Sequence, residues 1–328
     1  MSNGKVLLLD LDGRTLTLAF ARPGEAPAAH EVLSCRTQAE LEAVIHARID
    51  SLGEEPLVGA AVSAAGPLVN DAITTTQTGL RLSLRWLRQV VRRPKVYLLN
   101  DLAALAMGVP RAPSSQLIEI AAGEADAAGA AAVIGVGLGL GVAGLVPMPG
   151  DGWRAIPSEA GHIDSCPREV REIPVFDVIR RRRGDTTAER LLSQGGLIDI
   201  YDALAPSTEG ELDDAEMVVA RARAGDATAR EAISIFSGVL GAFSRDITLS
   251  FAARGGLYVN SPLISDIDDL FDQEAFLRRY RQGGVMSDYL RGVRVCLVTG
   301  RPVLLGLSGL FTPNDRFYRP TDVAYLDC

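Results

Sequence analysis

Apolar positions along this chain fall into short runs of two kinds, some continuous and some spaced at three and four. Val6 to Leu9 is a continuous apolar run within a short β-rich stretch, Lys5 to Asp12, and it leads into Asp10 and Asp12. A turn at Asp12-Gly13 and a second β-rich run from Thr15 to Phe20 predict a hairpin. Leu41, Val44, Ile45 and Ile49 carry the helical period through Thr37 to Leu52. Leu57 to Ser63 predicts a strand that ends in the loop Ala64-Ala65-Gly66-Pro67. A short helix over Leu84 to Val91 follows, then a buried strand over Val96 to Leu99. Asn100-Asp101 stops that strand, and a helix over Leu102 to Met107 begins at once. Strands alternating with helices predict an α/β layer.

The Pro/Ser-rich stretch Pro110 to Ser115 predicts a domain boundary. Beyond it, Ala127 to Gly150 carries no charge and is long enough to span a bilayer. Its glycines at 135, 137, 139 and 141 make a poor helix, however, and suit two strands meeting at a tight turn. From Val170 onward the pattern is mostly helical. Ile233, Phe236, Leu240, Phe243 and Ile247 mark one long amphipathic helix, closed by Gly255-Gly256. Short strands over Leu257 to Val259 and Val293 to Val298, and a helix over Val303 to Leu307, complete the pattern. No repeat of fixed period is visible.

Composition narrows the picture. Three hundred and twenty-eight residues suggest two domains, and 47% apolar content supplies ample core. Asp and Glu outnumber Lys and Arg by 41 to 33, a net charge of −8, which argues against nucleic acid or an anionic membrane as partner. The one basic run, Arg180 to Arg183 before Gly184, reads as a helix C-terminus with a left-handed cap. Cys35, Cys166, Cys296 and Cys328 form no C-x-x-C pair, as expected of free thiols in the reducing cytoplasm. His30, His46 and His162 are too few and too dispersed for a clustered-His metal site. The first residues show no signal-peptide pattern.

Candidate chemistry lies at the strand ends. Asp10 to Thr15 and Gly135 to Gly141 are glycine-punctuated turns after apolar strands, where backbone N–H groups can approach a phosphate; each also reads as an ordinary hairpin. Asp101 sits where ligands collect in open α/β sheets, and its carboxylate can act as a base or as the N-cap of the next helix. Glu159 and His162 flank Gly161, and Glu189 follows in Ala188-Glu189-Arg190-Leu191-Leu192-Ser193. Asn, Asp, Glu and His are the side chains that hold a neutral sugar through its hydroxyls.

In this order and spacing the segments resemble the ATP-dependent bacterial glucokinases, from about Val6 to Leu310. Asn100-Asp101-Leu102-Ala103-Ala104 resembles that family's Asn-Asp-Phe-x-Ala, and Glu159-Ala160-Gly161-His162 its Glu-Gly-Gly-His. Glu189-Arg190-Leu191-Leu192-Ser193 resembles Glu-Arg-Val-Leu-Ser. Ala65-Gly66-Pro67-Leu68 and Gly255-Gly256-Leu257-Tyr258-Val259 resemble Ala-Gly-Pro-Val and Gly-Gly-Val-Tyr-Ile. The resemblance implies a two-domain actin-like ATPase (ribonuclease H-like) fold with an inter-domain cleft. A small α/β domain would take residues 1–109 and 304–328, and a large one 110–303. It implies that Asn100, Asp101, Glu159, His162 and Glu189 hold glucose or a related hexose, with Asp101 the general base toward the 6-hydroxyl. ATP would meet Asp10, Gly13, Gly137, Gly139, Gly255 and Gly256, with Asp10 reaching Mg2+ through water. A homodimer is also implied.

The nucleotide side departs from the family. Asp12, Arg14 and Thr15 replace a Gly, a Thr and an Asn of the first phosphate loop. Val136 and Leu138 replace a Pro and a Thr of the second, and Ser261-Pro262 replaces a Gly-Gly pair. On the sugar side Gln77, Leu80 and Ala160 replace an Asn, a Trp and a Gly. A carboxylate about 5 Å from a phosphate charge is repelled by about 3 kcal/mol at an effective dielectric of about 20. Asp12 is therefore expected to weaken donor binding unless Mg2+ or Arg14 offsets it, or its side chain turns away. The alternative reading is a sugar-binding or regulatory relative with a degenerate nucleotide site. A kinase with another phosphoryl donor or another acceptor sugar is a third.

Overall fold

A computed structural model describes residues 4–312 apart from 77, 94, 125, 149–151, 206–213 and 268, together with Ala324–Tyr325. Gln77 and Cys328 therefore lie outside the described residues. The chain divides into two compact units. One comprises residues 1–116, 145–157 and 300–328, the other residues 117–144 and 158–299.

In chain order the first part of the sequence forms β1 (Lys5–Asp12), β2 (Thr15–Ala21), β3 (His30–Ser34), α1 (Gln38–Asp50), β4 (Leu57–Ala64), β5 (Leu68–Val69), β6 (Ala72–Thr74), β7 (Arg81–Ser83), α2 (Leu84–Val91), β8 (Lys95–Asn100) and α3 (Asp101–Gly108). There follow β9 (Leu117–Ala121), β10 (Ala131–Val136), β11 (Leu140–Met148), β12 (Gly152–Ser158), α4 (Ile173–Arg183), α5 (Ala188–Leu191), α6 (Gln194–Leu204), α7 (Ala215–Arg223) and α8 (Ala227–Ser250). The chain closes with β13 (Gly256–Asn260), α9 (Pro262–Asp266), α10 (Gln273–Tyr280), α11 (Ser287–Arg291), β14 (Val295–Val298), α12 (Pro302–Gly309) and β15 (Ala324–Tyr325).

The first unit's main sheet has the order β15-β8-β4-β1-β2-β3. β1 pairs antiparallel with β2 and parallel with β4, and β4 pairs parallel with β8. Val6 to Leu9 are fully buried in the central strand, which explains their unbroken apolar run. β3 at the edge is mostly exposed and opens on His30 and Glu31, polar residues that discourage further pairing. The β1–β2 turn lies one position later than the sequence suggests. Asp12 pairs with Thr15, so the central residues are Gly13 and Arg14, and Gly13 takes the positive φ of +58°. Glycine first is the preference of a type II′ hairpin, whose twist matches the strands. Helices α3 and α12 pack backbone to backbone. A Cβ on Gly306 would lie 2.0 Å from Ala104 O, and one on Gly108 only 1.8 Å from Pro302 O.

The second sheet runs β12-β11-β10-β13-β14-β9. β10, β13 and β14 pair parallel, and β9 closes the edge antiparallel. Within the uncharged stretch, β10 and β11 are thus two adjacent strands joined by a turn. The one helix long and apolar enough to cross a membrane among the described residues is α8, and 83% of its apolar window is buried. It forms the spine of the second core, with Phe236, Leu240 and Ile247 inside. It ends at Phe251, before Gly255-Gly256. The basic run ends α4 as expected, with Gly184 at φ +88°. Arg183 is also committed to Asp199 through two bonds of 2.8 and 2.9 Å, and Arg182 pairs with Asp202.

Candidate active site

The candidate residues divide between the units. Asp10, Gly13, Asn100 and Asp101 belong to the first; Gly137, Gly139, Glu159, His162, Glu189, Gly255 and Gly256 belong to the second.

In the first unit, β1 and β8 run parallel through β4 and deliver Asp10 and Asn100 toward the same sheet end. Asn100 is the N-cap of α3. Its Oδ1 accepts from Leu102 N at 2.9 Å and Ala103 N at 3.2 Å, and its amide donates to Gly66 O at 3.1 Å. The capping role considered for Asp101 therefore belongs to its neighbour. Asp101 is the first helical residue, and one of its oxygens accepts from Leu102 N at 2.9 Å. Burial pushes the Asp101 carboxyl up to about 7, and the negative charges of Asp10 and then Asp12 add to the shift. Burial likewise pushes Asp10 up to about 6; a 2.7 Å hydrogen bond from Ser63 Oγ opposes it, Asp12 reinforces it, and Arg301 pulls it back. Burial raises Asp12 as well.

Two neighbours here escaped the sequence reading. Ser63 was only the last residue of a predicted strand, and its pairing with Asp10 spans 53 positions. Arg301 precedes α12, donates to Thr17 Oγ1 at 2.8 Å and is the cation that acts on Asp10. The charge of Arg301 falls on Asp10, whereas burial is what raises Asp12, and no local pattern marks Arg301. Among the described residues no group of three His, Cys, Asp or Glu side chains forms a metal site. Asp10 spends one oxygen on Ser63, and the other fits a hard cation that takes most of its ligands from phosphate and water.

In the second unit Gly137 and Gly139 form the β10–β11 turn, with Gly137 N donating to Gly139 O at 2.9 Å. None of Gly135, Gly137, Gly139 and Gly141 has a positive φ. What Gly139 provides is room: a Cβ there would lie 2.7 Å from Glu189 Oε2. Glu189 itself accepts from Leu140 N at 3.0 Å. Leu138 at the tip is 44% exposed, an apolar side chain facing solvent. Glu159 and His162 flank a 3-10 turn, 3.9 Å apart, with side chains 70% and 57% exposed. They are open to a ligand.

Gly255 and Gly256 lie elsewhere. Gly256 pairs with Ala131 at the start of both strands, and a Cβ on Gly255 would meet Gly129 O at 2.5 Å. They are at the opposite end of β10 from Gly137, packed closely against the backbone of residues 129–131. The other end of β13 carries Asn260, whose amide donates to Val298 O, and Ser261, which caps α9.

The glucokinase family matches this chain over residues 9–313. The chain belongs to the glucokinase family. Among curated relatives, a glucokinase-like protein of Caulobacter vibrioides is 50% identical over 97% of this chain and 100% of its own length. A glucokinase of Chromobacterium violaceum is 34% identical over 82% of this chain and 78% of its own. Among solved structures, glucokinase from an Antarctic psychrotroph has a TM-score of 0.80 at 24% identity, covering 94% of this chain and 98% of that one. Balamuthia mandrillaris glucokinase in complex with glucose has a TM-score of 0.80 at 18% identity, covering 94% and 93%. Likeness at that identity establishes the fold alone: two-domain, α/β, of the actin-like ATPase class. Family membership establishes a sugar-kinase lineage.

Proposed function

We propose that this member of the glucokinase family transfers the γ-phosphate of ATP to the 6-hydroxyl of glucose, with Asp101 as general base. The observation that carries the reading is the state of Asp101. It stands at a strand end and the first turn of a helix, partly buried, with its carboxyl pushed up to about 7. A base works best when its pKa lies near the working pH, since it is then ionised and still basic.

The remaining residues divide the labour. Asn100 holds α3 in place and so aims Asp101. Glu159, His162 and Glu189 accept from and donate to the sugar's hydroxyls, which a neutral substrate requires. Asp101 takes the 6-hydroxyl proton as that oxygen attacks phosphorus. Gly13, with the turn Gly137–Gly139, lets backbone N–H groups approach the donor phosphates. Mg2+ would be held by Asp10 and the donor's own oxygens, and neutralises phosphate charge when bound. Arg301 offsets part of the negative charge of the aspartate cluster.

A coupled assay for glucose 6-phosphate with Mg–ATP tests this directly. Asp101→Asn is expected to cut kcat by about a thousandfold while leaving glucose affinity nearly unchanged. Parent-like turnover in the variant would remove Asp101 from the role. The second reading, a sugar-binding relative that has lost donor chemistry, is favoured by the Asp12 carboxylate and by the exposed Leu138. Glucose binding without turnover at saturating ATP would establish it.

A further inference from the structure

The peptide of Leu140 is gripped from two directions. Glu189 Oε2 accepts from its N–H at 3.0 Å. On its carbonyl side Gly161 comes so close that a Cβ there would meet Leu140 O at 2.0 Å. The turn itself is tied down by Gln194 N, which donates to Gly137 O at 2.9 Å. Segments 159–162 and 189–194, the two stretches of this unit assigned to the sugar, therefore both rest on the backbone of the glycine turn assigned to the donor. Gly139 is the contact point, where a Cβ would push against the end of the Glu189 side chain.

We propose that Glu189 is a positioning residue that couples occupancy of the sugar site to the geometry of the 137–141 turn. The proposal rests on the sugar-kinase reading above and adds a link between its two substrates. A carboxylate accepts through both oxygens. Oε2 is committed to Leu140 N–H, and Oε1 accepts no hydrogen bond from the described residues, which leaves it for a sugar hydroxyl. A hydroxyl donating to Oε1 fixes the carboxylate plane, and the plane fixes the Leu140 peptide at the end of the turn. Linkage makes the effect reciprocal: a change in the turn must alter sugar affinity as much as sugar alters the turn.

The test is calorimetric titration of glucose into the full chain without nucleotide, comparing the parent with Gly139→Ala. The added methyl displaces the Glu189 carboxylate although it lies on the donor turn. Glucose Kd is expected to rise about tenfold or more. A folded Gly139→Ala protein that binds glucose within about twofold of the parent overturns the coupling. A parent that binds no glucose overturns the sugar reading and the coupling together, and this is seen before any variant is compared. Should Gly139→Ala fail to fold, amide hydrogen exchange in the parent decides. Exchange at Leu140 is expected to slow about fivefold or more with saturating glucose, and an unchanged rate overturns the proposal.

Discussion

Asp101 acquires its character from neighbours that lie far away in sequence. Burial and two other carboxylates disfavour its ionised form, which keeps it protonated to about pH 7. If it is the base, kcat/KM must rise with pH through a limb near 7 as the proton leaves. Asp12→Asn removes one of the charges that raise Asp101, so the limb is expected to move to lower pH; a limb that stays in place would show that Asp12 does not act on it. Stability gives an independent check at Asp10. Its folded carboxyl, at about 6 against an ordinary 3.8, holds its proton more tightly than in the unfolded chain. The folded state therefore binds more protons between about pH 4 and 6, and stability falls as pH rises through that window. Asp10→Asn keeps an acceptor for Ser63 and removes the charge. Its melting temperature relative to the parent is expected to be higher at pH 8 than at pH 4.5, and an equal difference at both would contradict the shift. Asp10, Asn100 and Asp101 stand out in the sequence because each follows an apolar run. Ser63 and Arg301 do not, because they reach Asp10 through space with no sequence spacing to mark them.

At the scale of elements, helix and strand positions followed from local pattern. Thr37, Ser83 and Asp226 cap α1, α2 and α8 through their side chains, as short polar residues before an apolar period should. How elements pack was less visible. Gly306 occurs in an apolar helix whose sequence gives no reason for a glycine; the reason is the carbonyl of Ala104 on α3. Because α3 begins at Asp101, this packing also supports the site. Gly306→Ala forces a Cβ against that carbonyl and is expected to destabilise the protein by about 3 kcal/mol, read from urea unfolding. A variant as stable as the parent would mean that the helices separate at little cost. The second core has its own fixed point in the buried pair Glu172 and Arg279, 1% and 2% exposed, which neither residue's surroundings in sequence reveal.

The whole molecule shows an order that the sequence does not. Both sheets place a run of three consecutive strands beside two parallel strands: β3-β2-β1-β4-β8 in one, β12-β11-β10-β13-β14 in the other. The turns Gly13–Arg14 and Gly137–Gly139 join the first two strands of each run, so the two glycine-punctuated turns occupy equivalent places. Strand order depends on which elements pair, and many apolar sequences satisfy the same pairing, so the repetition leaves no fixed period of residues. A ligand that binds only the folded chain stabilises it by mass action, about 2.7 kcal/mol at a hundred times Kd. Glucose at that excess is expected to raise the melting temperature by about 5 °C, and no shift would argue against glucose as the sugar.

The sequence by itself determined the α/β class, the bounds of the elements it marked to within about two residues, and the motif set that resembles a glucokinase. These are properties of neighbouring residues, read through period, capping and turn chemistry. Only the tertiary structure decided that Asn100 is the cap and leaves Asp101 free of that duty. It alone set the turn at Gly13–Arg14, put Arg301 beside Asp10, sent Gly255 and Gly256 to the far end of their strand, and rested Glu189 on the donor turn. Each of these depends on distances between residues tens to hundreds of positions apart, and such distances are fixed by packing rather than by local preference.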